Sequence, residues 1–240
     1  MHFQLNDEQL FIQEAAKKFA ENELKPIAAA LEKPENRGLY LEQLKTLSSL
    51  GFMGLNVKSD FGGSEVGVIA FSVALTEVAK ACASTGVAMS VNNLVGEVIQ
   101  IIGSEKQKET YIPRICSGEY TCGAFCLSES EAGSDPSRLK TRAVETDQGW
   151  ELNGSKMWIS NAEYAGLFVV WAVSDPEAKP GKGISCFIVE GDNPGISVEP
   201  GEKKMGQRAS STNTVHFTNC MIPKSALLGE INQGFKIAVG

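Results

Sequence analysis

The chain changes its hydrophobic period near residue 120, and that change limits what it can fold into more than any other feature. Before it, apolar residues recur three and four apart; after it, they alternate or run together between Gly and Pro breaks. A helix and a strand need different periods to bury one face. The sequence therefore predicts an all-α N-terminal helical domain at 1–119 followed by an antiparallel β-barrel domain at 120–232, with 233–240 opening a further helical unit.

Five helices are predicted in the first part. Asn6 precedes the acidic turn Asp7, Glu8, Gln9, and a stripe of Leu10, Phe11, Ala15, Phe19 and Leu24 follows, ended by Pro26. Leu41, Leu44, Leu47 and Leu50 make a second helix, closed by Gly51. Phe71, Leu75 and Val78 mark a third, and a fourth runs over 85–102 to Gly103. Ser104 and Gln107 form a capping box that opens a fifth, ending near Gly118. In the second part, the Gln148-Gly149 turn separates strand residues around Val144 from those at 150–152. Further strands are predicted at 167–173, 184–189, 196–198 and 215–217. Asn153-Gly154-Ser155 matches a glycosylation sequon and reads here as a turn. The final apolar stretch at 235–240 starts and stops at once, as expected of a chain cut from a longer protein.

Composition enters by exclusion. Lys and Arg number 22 against 29 Asp and Glu, a net charge of −7, so nothing resembles the basic surplus of a nucleic-acid partner. No apolar run reaches the roughly 18 residues that span a bilayer, and residues 1–8 carry no secretory leader pattern. The expected location is cytoplasmic, or the mitochondrial matrix if a transit peptide has been removed. The six cysteines form no CxxC pair and read as reduced thiols, and with only His2 and His216 no metal site is expected. The hydrolase elbow, dinucleotide and Walker glycine motifs are absent, and Asp60-Phe61-Gly62 lacks the rest of a kinase signature.

Three segments of the second part carry chemistry. Residues 125–135, from Phe125 to Asp135, run off a strand into a small polar loop whose amides and hydroxyls suit an anion or a carbonyl-rich ring. Lys156-Met157-Trp158-Ile159-Ser160-Asn161 places an indole and a hydroxyl two residues apart, where a planar ligand packs and hydrogen-bonds. Met205-Gly206-Gln207-Arg208 sets a glycine turn beside a fixed cation. Singly, each has a plain account: turn chemistry, a core tryptophan, a surface ion-pair arginine.

Together and in this order they resemble the middle domain of the flavin-dependent acyl-CoA dehydrogenases. The match lies in Leu127-Ser128-Glu129 with Ala132-Gly133-Ser134-Asp135, in Lys156 to Asn161, and in the Met-Gly-x-Arg turn; Phe61-Gly62-Gly63 resembles the family's Tyr-Gly-Gly. The resemblance covers essentially the whole chain. Ser130 stands where the family pattern has proline, which removes a φ restraint.

The resemblance implies FAD as cofactor, with Cys126, Leu127, Ser128, Gly133, Ser134, Trp158, Ile159 and Ser160 as its binding residues. Ser128 would meet the pyrimidine edge of the flavin, Trp158 the ring and Ser160 the N5 side. Ser134 would lie at the pyrophosphate and the pantetheine arm, and Ser174 would contact the CoA portion. The implied reaction of fatty-acid metabolism takes the α-proton of an acyl-CoA substrate onto a carboxylate while the β-hydrogen leaves as hydride to the flavin. The implied partners are electron-transferring flavoprotein and further copies of the chain, as a dimer or homotetramer. In the family that carboxylate sits in a C-terminal helical bundle, so no catalytic residue is expected in this chain, and Glu129 is expected to serve the loop's own structure. The alternatives are an acyl-CoA oxidase or flavin monooxygenase of the same superfamily, or a non-enzymatic short paralogue. Ala88, Met89 and Asn92 on the fourth helix either floor an acyl cavity or simply pack between helices.

Overall fold

The computed structural model describes residues 4–239, so the readings at the first three residues and at Gly240 lie outside it. Helix α1 (Asp7–Phe19) starts at a full capping box: Asn6 Oδ1 accepts from the Gln9 amide at 2.8 Å, and Gln9 Oε1 accepts from the Asn6 amide at 3.0 Å. Acidic residues in its first turn and Lys17 and Lys18 in its last suit the helix dipole. One π-helical turn at Ala20–Leu24 carries the chain to the Pro26 break. Then come α2 (Ala28–Leu31), α3 (Arg37–Ser49), α4 (Gly67–Ala81), α5 (Ala83–Ile102) and α6 (Glu105–Ser117). Gly51 after α3 and Gly118 after α6 are left-handed, with φ of 78° and 79°, the conformation that stops a helix at glycine.

The second part is one sheet of β1 (Gly123–Cys126), β2 (Arg142–Thr146), β3 (Gly149–Ser160), β4 (Leu167–Val173), β5 (Ile184–Glu190), β6 (Ile196–Val198), β7 (Thr212–Ile222) and β8 (Leu227–Leu228). The strand order is β6-β7-β3-β2-β4-β5-β8, with β1 also paired to β4. This corrects the expected antiparallel barrel. The sheet is open, with β6 and β8 at its ends, and it is mixed: β1 runs parallel to β4, as does β2 where Arg142 meets Val173. Between β1 and β4 the chain makes a loop and the β2–β3 hairpin, an excursion long enough to return in the same direction. Alternation shows which residues face a core, but not which strand they pair with.

The unbroken apolar run of β4 follows from cores on both of its faces. Phe168, Val170 and Ala172 join Trp150, Leu152 and Phe217 on one side. Leu167, Val169 and Trp171 pack on the other with Val95 and Ile99 of α5 and Ile112 and Ile115 of α6. The helical part therefore covers one face of the β1–β4–β5 region. A last helix, α7 (Gly234–Val239), is pinned to β4 by Trp171, whose Nε1 donates to Gly234 O at 2.7 Å.

Asn153-Gly154-Ser155 is not a turn. It lies within β3, where the register slips between Leu152 and Gly154. Gly154 sits at φ 149°, and a Cβ there would come within 2.6 Å of Thr141 Cα, so the close passage requires glycine. A second irregularity falls between Lys156 and Ile159. All six cysteines are free and buried. No described helix is long and apolar enough to cross a membrane.

Candidate functional site

The loop after β1 lies along the second half of β3. Met157 N donates to Ser128 O at 2.9 Å, and Lys156 Nζ donates to Leu127 O at 3.2 Å. Ser128 and Trp158 are thereby made neighbours across 30 residues of sequence. At the β3 irregularity Trp158 takes φ 59°, rare for a large side chain, and its side chain stands 62% exposed. Ile159 turns back into the core and Ser160 is half-buried. Asn161, at φ 67° and fully buried, ends the strand. Its amide donates to Ser211 O at 3.1 Å, and its Oδ1 accepts from Tyr164 Oη at 3.3 Å. No hydrogen bond among the described residues engages the hydroxyls of Ser128 and Ser160 or the Trp158 Nε1, which leaves an indole and two hydroxyls for a ligand.

The loop is held without the proline that Ser130 replaces. Glu129 and Ala132 exchange two backbone hydrogen bonds of 3.1 Å. The Glu129 carboxylate accepts from Lys156 Nζ at 2.7 Å, Thr141 N at 3.0 Å and Lys140 N at 2.5 Å. Burial opposes the charge on Glu129, but Lys156 and these donors outweigh it and hold the carboxyl below its usual range. Burial also lowers Lys156, against the pull of Glu129. Both groups are thus biased toward losing a proton, Glu129 by its donors and Lys156 by burial. The geometry settles the pair as ionised, because the carboxylate accepts from three donors and needs no proton of its own. Glu129 is thus occupied within the loop.

Cys126 is fully buried, and burial pushes its thiol up to about 12, so only its backbone is available. Leu127 packs against the core between sheet and helices. Gly133 and Ser134 are exposed at the outer end of the loop. A Cβ on Gly133 would meet nothing within 4 Å, so the chain's own packing does not require glycine there. Ser174 lies apart from this face. Its hydroxyl is within 2.6 Å of Ser185 Oγ, 2.7 Å of Asn232 Oδ1 and 3.2 Å of Gly183 O. Its neighbours Val173 and Asp175 line a groove of about 420 Å³ whose rim carries Lys140, Arg142 and Lys179.

The Met205–Arg208 turn, with Gln207 at φ 54°, is bound to the helical part: Arg208 N donates to Glu32 Oε2. Arg37 donates to Ala209 O, pairs with Glu163 at 3.0 Å, and lies over the rings of Tyr40 and Tyr164. Ala88, Met89 and Asn92 are all buried, and Asn92 bridges Met53 O at 2.7 Å and Gly123 N at 2.8 Å, so they pack α5 against its neighbours. Sequence reasoning named Trp158 and Asn161 but missed their left-handed backbone, for which only Asn161, a residue type enriched at positive φ, carried a signal. It also named Lys156 only as part of a motif and missed its buried pairing with Glu129, whose signal was a lysine at an inward position of a strand.

A helical domain packed on one face of an open, mixed β-sheet defines the class of this chain. Residues 6–119 match the acyl-CoA dehydrogenase N-terminal domain and residues 124–220 the acyl-CoA dehydrogenase middle domain; the chain belongs to the acyl-CoA dehydrogenase family. It is 39% identical over 235 residues to the mitochondrial short/branched chain specific acyl-CoA dehydrogenase of Rattus norvegicus, covering 98% of this chain and 53% of the relative. The structure of butyryl-CoA dehydrogenase from Megasphaera elsdenii superposes with a TM-score of 0.90 at 34% identity, covering 99% of this chain and 62% of that one. An acyl-CoA dehydrogenase complexed with FAD from Bacillus anthracis gives 0.89 at 32% identity, covering 98% of this chain and 40% of that one. The chain spans about half the length of the curated relatives it matches.

Proposed function

We propose that this chain supplies the flavin-facing and thioester-facing surfaces of an FAD-dependent acyl-CoA dehydrogenase. Residues 1–119 and 120–232 are its first two domains, and 233–240 begins a third, helical one. The observation that carries this reading is Trp158, a large aromatic held outward on left-handed backbone beside two unpartnered hydroxyls. A protein seldom spends strain on a wet indole without a ligand to cover it. FAD, when bound, supplies the hydride acceptor. The chain's own residues bind and orient it. Ser128 and the backbone at Cys126 and Leu127 would hold the pyrimidine edge, Trp158 and the backbone of Ile159 would bed the ring, Ser160 would offer a hydroxyl toward N5, and Gly133 and Ser134 would give room and a hydroxyl for the pyrophosphate.

The acyl-CoA thioester would pass Ser134 and place its phosphate-bearing end in the groove rimmed by Lys140, Arg142 and Lys179. Ser174 holds that groove's wall through Ser185 and Asn232. The proton-abstracting carboxylate would lie outside these residues, since each carboxylate of the flavin loop is engaged: Glu129 by Lys156, Glu131 by Lys140 and Asp135 by Ser137 and Arg138. Electrons would leave to electron-transferring flavoprotein, from a dimer or tetramer in the mitochondrial matrix or cytoplasm. The test is to purify the protein that contains this chain and add acyl-CoAs of graded length without oxygen. The reading predicts a yellow protein whose flavin absorbance near 450 nm is bleached by at least one of them. A colourless protein, or a flavin that no acyl-CoA bleaches, refutes it.

A further inference from the structure

The buried pair of Lys156 and Glu129 is unusual for its position. Lys156 is 0% exposed and Glu129 7%, between a strand and a loop that have apolar cores on either side. A buried ion pair is a weak source of stability, because desolvating two charges offsets most of their attraction, and an apolar pair of similar volume often does as well. What the pair does supply is geometry. Through Lys156 Nζ it fixes Leu127 O, and through the Glu129 oxygens it fixes the amides of Lys140 and Thr141. One contact between two side chains thus joins the end of β1, the loop, the start of β2 and the irregular stretch of β3.

The fixed points bracket the two ligand-facing residues. Ser128 lies between Leu127 and Glu129, both held by Lys156, and its own carbonyl is held by Met157 N. Trp158 comes directly after Lys156 and Met157, at the place where the backbone turns to φ 59°. Such backbone persists only where its surroundings over-determine it, and the Lys156–Glu129 tie stands two residues away, beside the Met157–Ser128 bond and the pairing with β7.

We propose that Lys156 and Glu129 are positioning residues that set the spacing of Ser128 and Trp158 for the flavin ring, and that this role is separable from their part in stability. The inference rests on the flavin reading above. It predicts an uncoupling that a purely structural pair would not show. Lys156→Met and Glu129→Gln each leave a buried charge or acceptor unpaired and should lower the melting temperature. The double variant removes both charges and should recover part of it, the remainder being lost because the NH2 that Glu129→Gln introduces faces one of the Lys140 and Thr141 amides. FAD affinity should not recover: it should stay at least tenfold weaker than wild type in the double variant. The amide of Met157 should exchange at least tenfold faster in flavin-free protein, while the amides of the β4–β5 pairing keep their protection.

The experiment measures melting temperature, FAD dissociation constant and site-resolved hydrogen exchange for wild type, both single variants and the double variant, in the protein that contains this chain. FAD affinity that returns together with melting temperature, or a Met157 amide that stays protected in the double variant, overturns the positioning role. If the single variants fail to fold, the double variant alone decides. A wild-type protein that takes up no FAD refutes the flavin reading and this role with it, an outcome distinct from a wild type that binds FAD and a double variant that binds it equally well.

Discussion

Replacing Trp158 by alanine should separate ligand binding from folding more sharply than any other single change. Its side chain is 62% exposed, and a tryptophan offers up to about 250 Å² of surface, so about 150 Å² of indole is open to a ligand. A flavin ring that covers half to all of it removes about 75–150 Å² from water, worth about 2–4 kcal/mol at about 25 cal/mol per Å². That corresponds to a dissociation constant roughly 20- to 600-fold higher. The flavin-free protein should hardly notice, since an exposed side chain contributes within about 0.5 kcal/mol to stability. FAD binding is measured by equilibrium titration of the stripped protein and stability by urea unfolding without flavin. A core tryptophan would behave in the opposite way, losing about 3–5 kcal/mol of stability. Unchanged FAD affinity, or a stability loss of that size, refutes the assignment of Trp158 as the ring's bed.

Arg37→Ala removes a charge-assisted bond to Ala209 O, the Glu163 pair and the contact with two tyrosine rings. It should cost about 2–3 kcal/mol, less than the sum of its parts, read as a lower urea midpoint. Gly154→Ala forces a Cβ to within 2.6 Å of Thr141 Cα at φ 149° and should cost about 2–4 kcal/mol, checked by thermal unfolding. Glu129 has its pKa lowered in the folded chain. Its contribution is therefore present above the unfolded carboxylate value of about 4.3 and is lost as pH falls through the lower folded value. Urea midpoints should drop less steeply from about pH 5 downward in Glu129→Gln than in wild type. Residues 1–240 expressed alone should fold, carry little FAD and show no dehydrogenase turnover with an artificial acceptor. A yellow, active preparation would place a base within the chain.

Much of the fold is legible because its signals are local. Capping boxes at Asn6 and Ser104, glycine stops at Gly51 and Gly118, and the 3.6-residue stripes place α1, α3 and α6 close to where they stand. The apolar run of 167–173 locates β4 but not its neighbours, because β4 is buried on both faces and would read the same in a barrel, a sandwich or a mixed sheet. The parallel pairing of β1 with β4 is decided by the path of the 40 intervening residues, which no period records. The same limit applies to the site. The loop and strand motifs are visible as residue types, but their meeting depends on Met157 reaching Ser128 and on Lys156 reaching Glu129. Ser174 shows the converse. Its motif position suggests a ligand contact, while its hydroxyl is engaged by Ser185 of the neighbouring strand and by Asn232 far along the chain.

The most direct test of the central claim is a crystal structure of the FAD-loaded protein that contains this chain. The account predicts the isoalloxazine ring against the Trp158 indole, with the Ser128 and Ser160 hydroxyls in hydrogen-bond reach of its polar edge and Lys156 still paired with Glu129 beneath. A ring bound elsewhere, with Trp158 left in solvent, would contradict it.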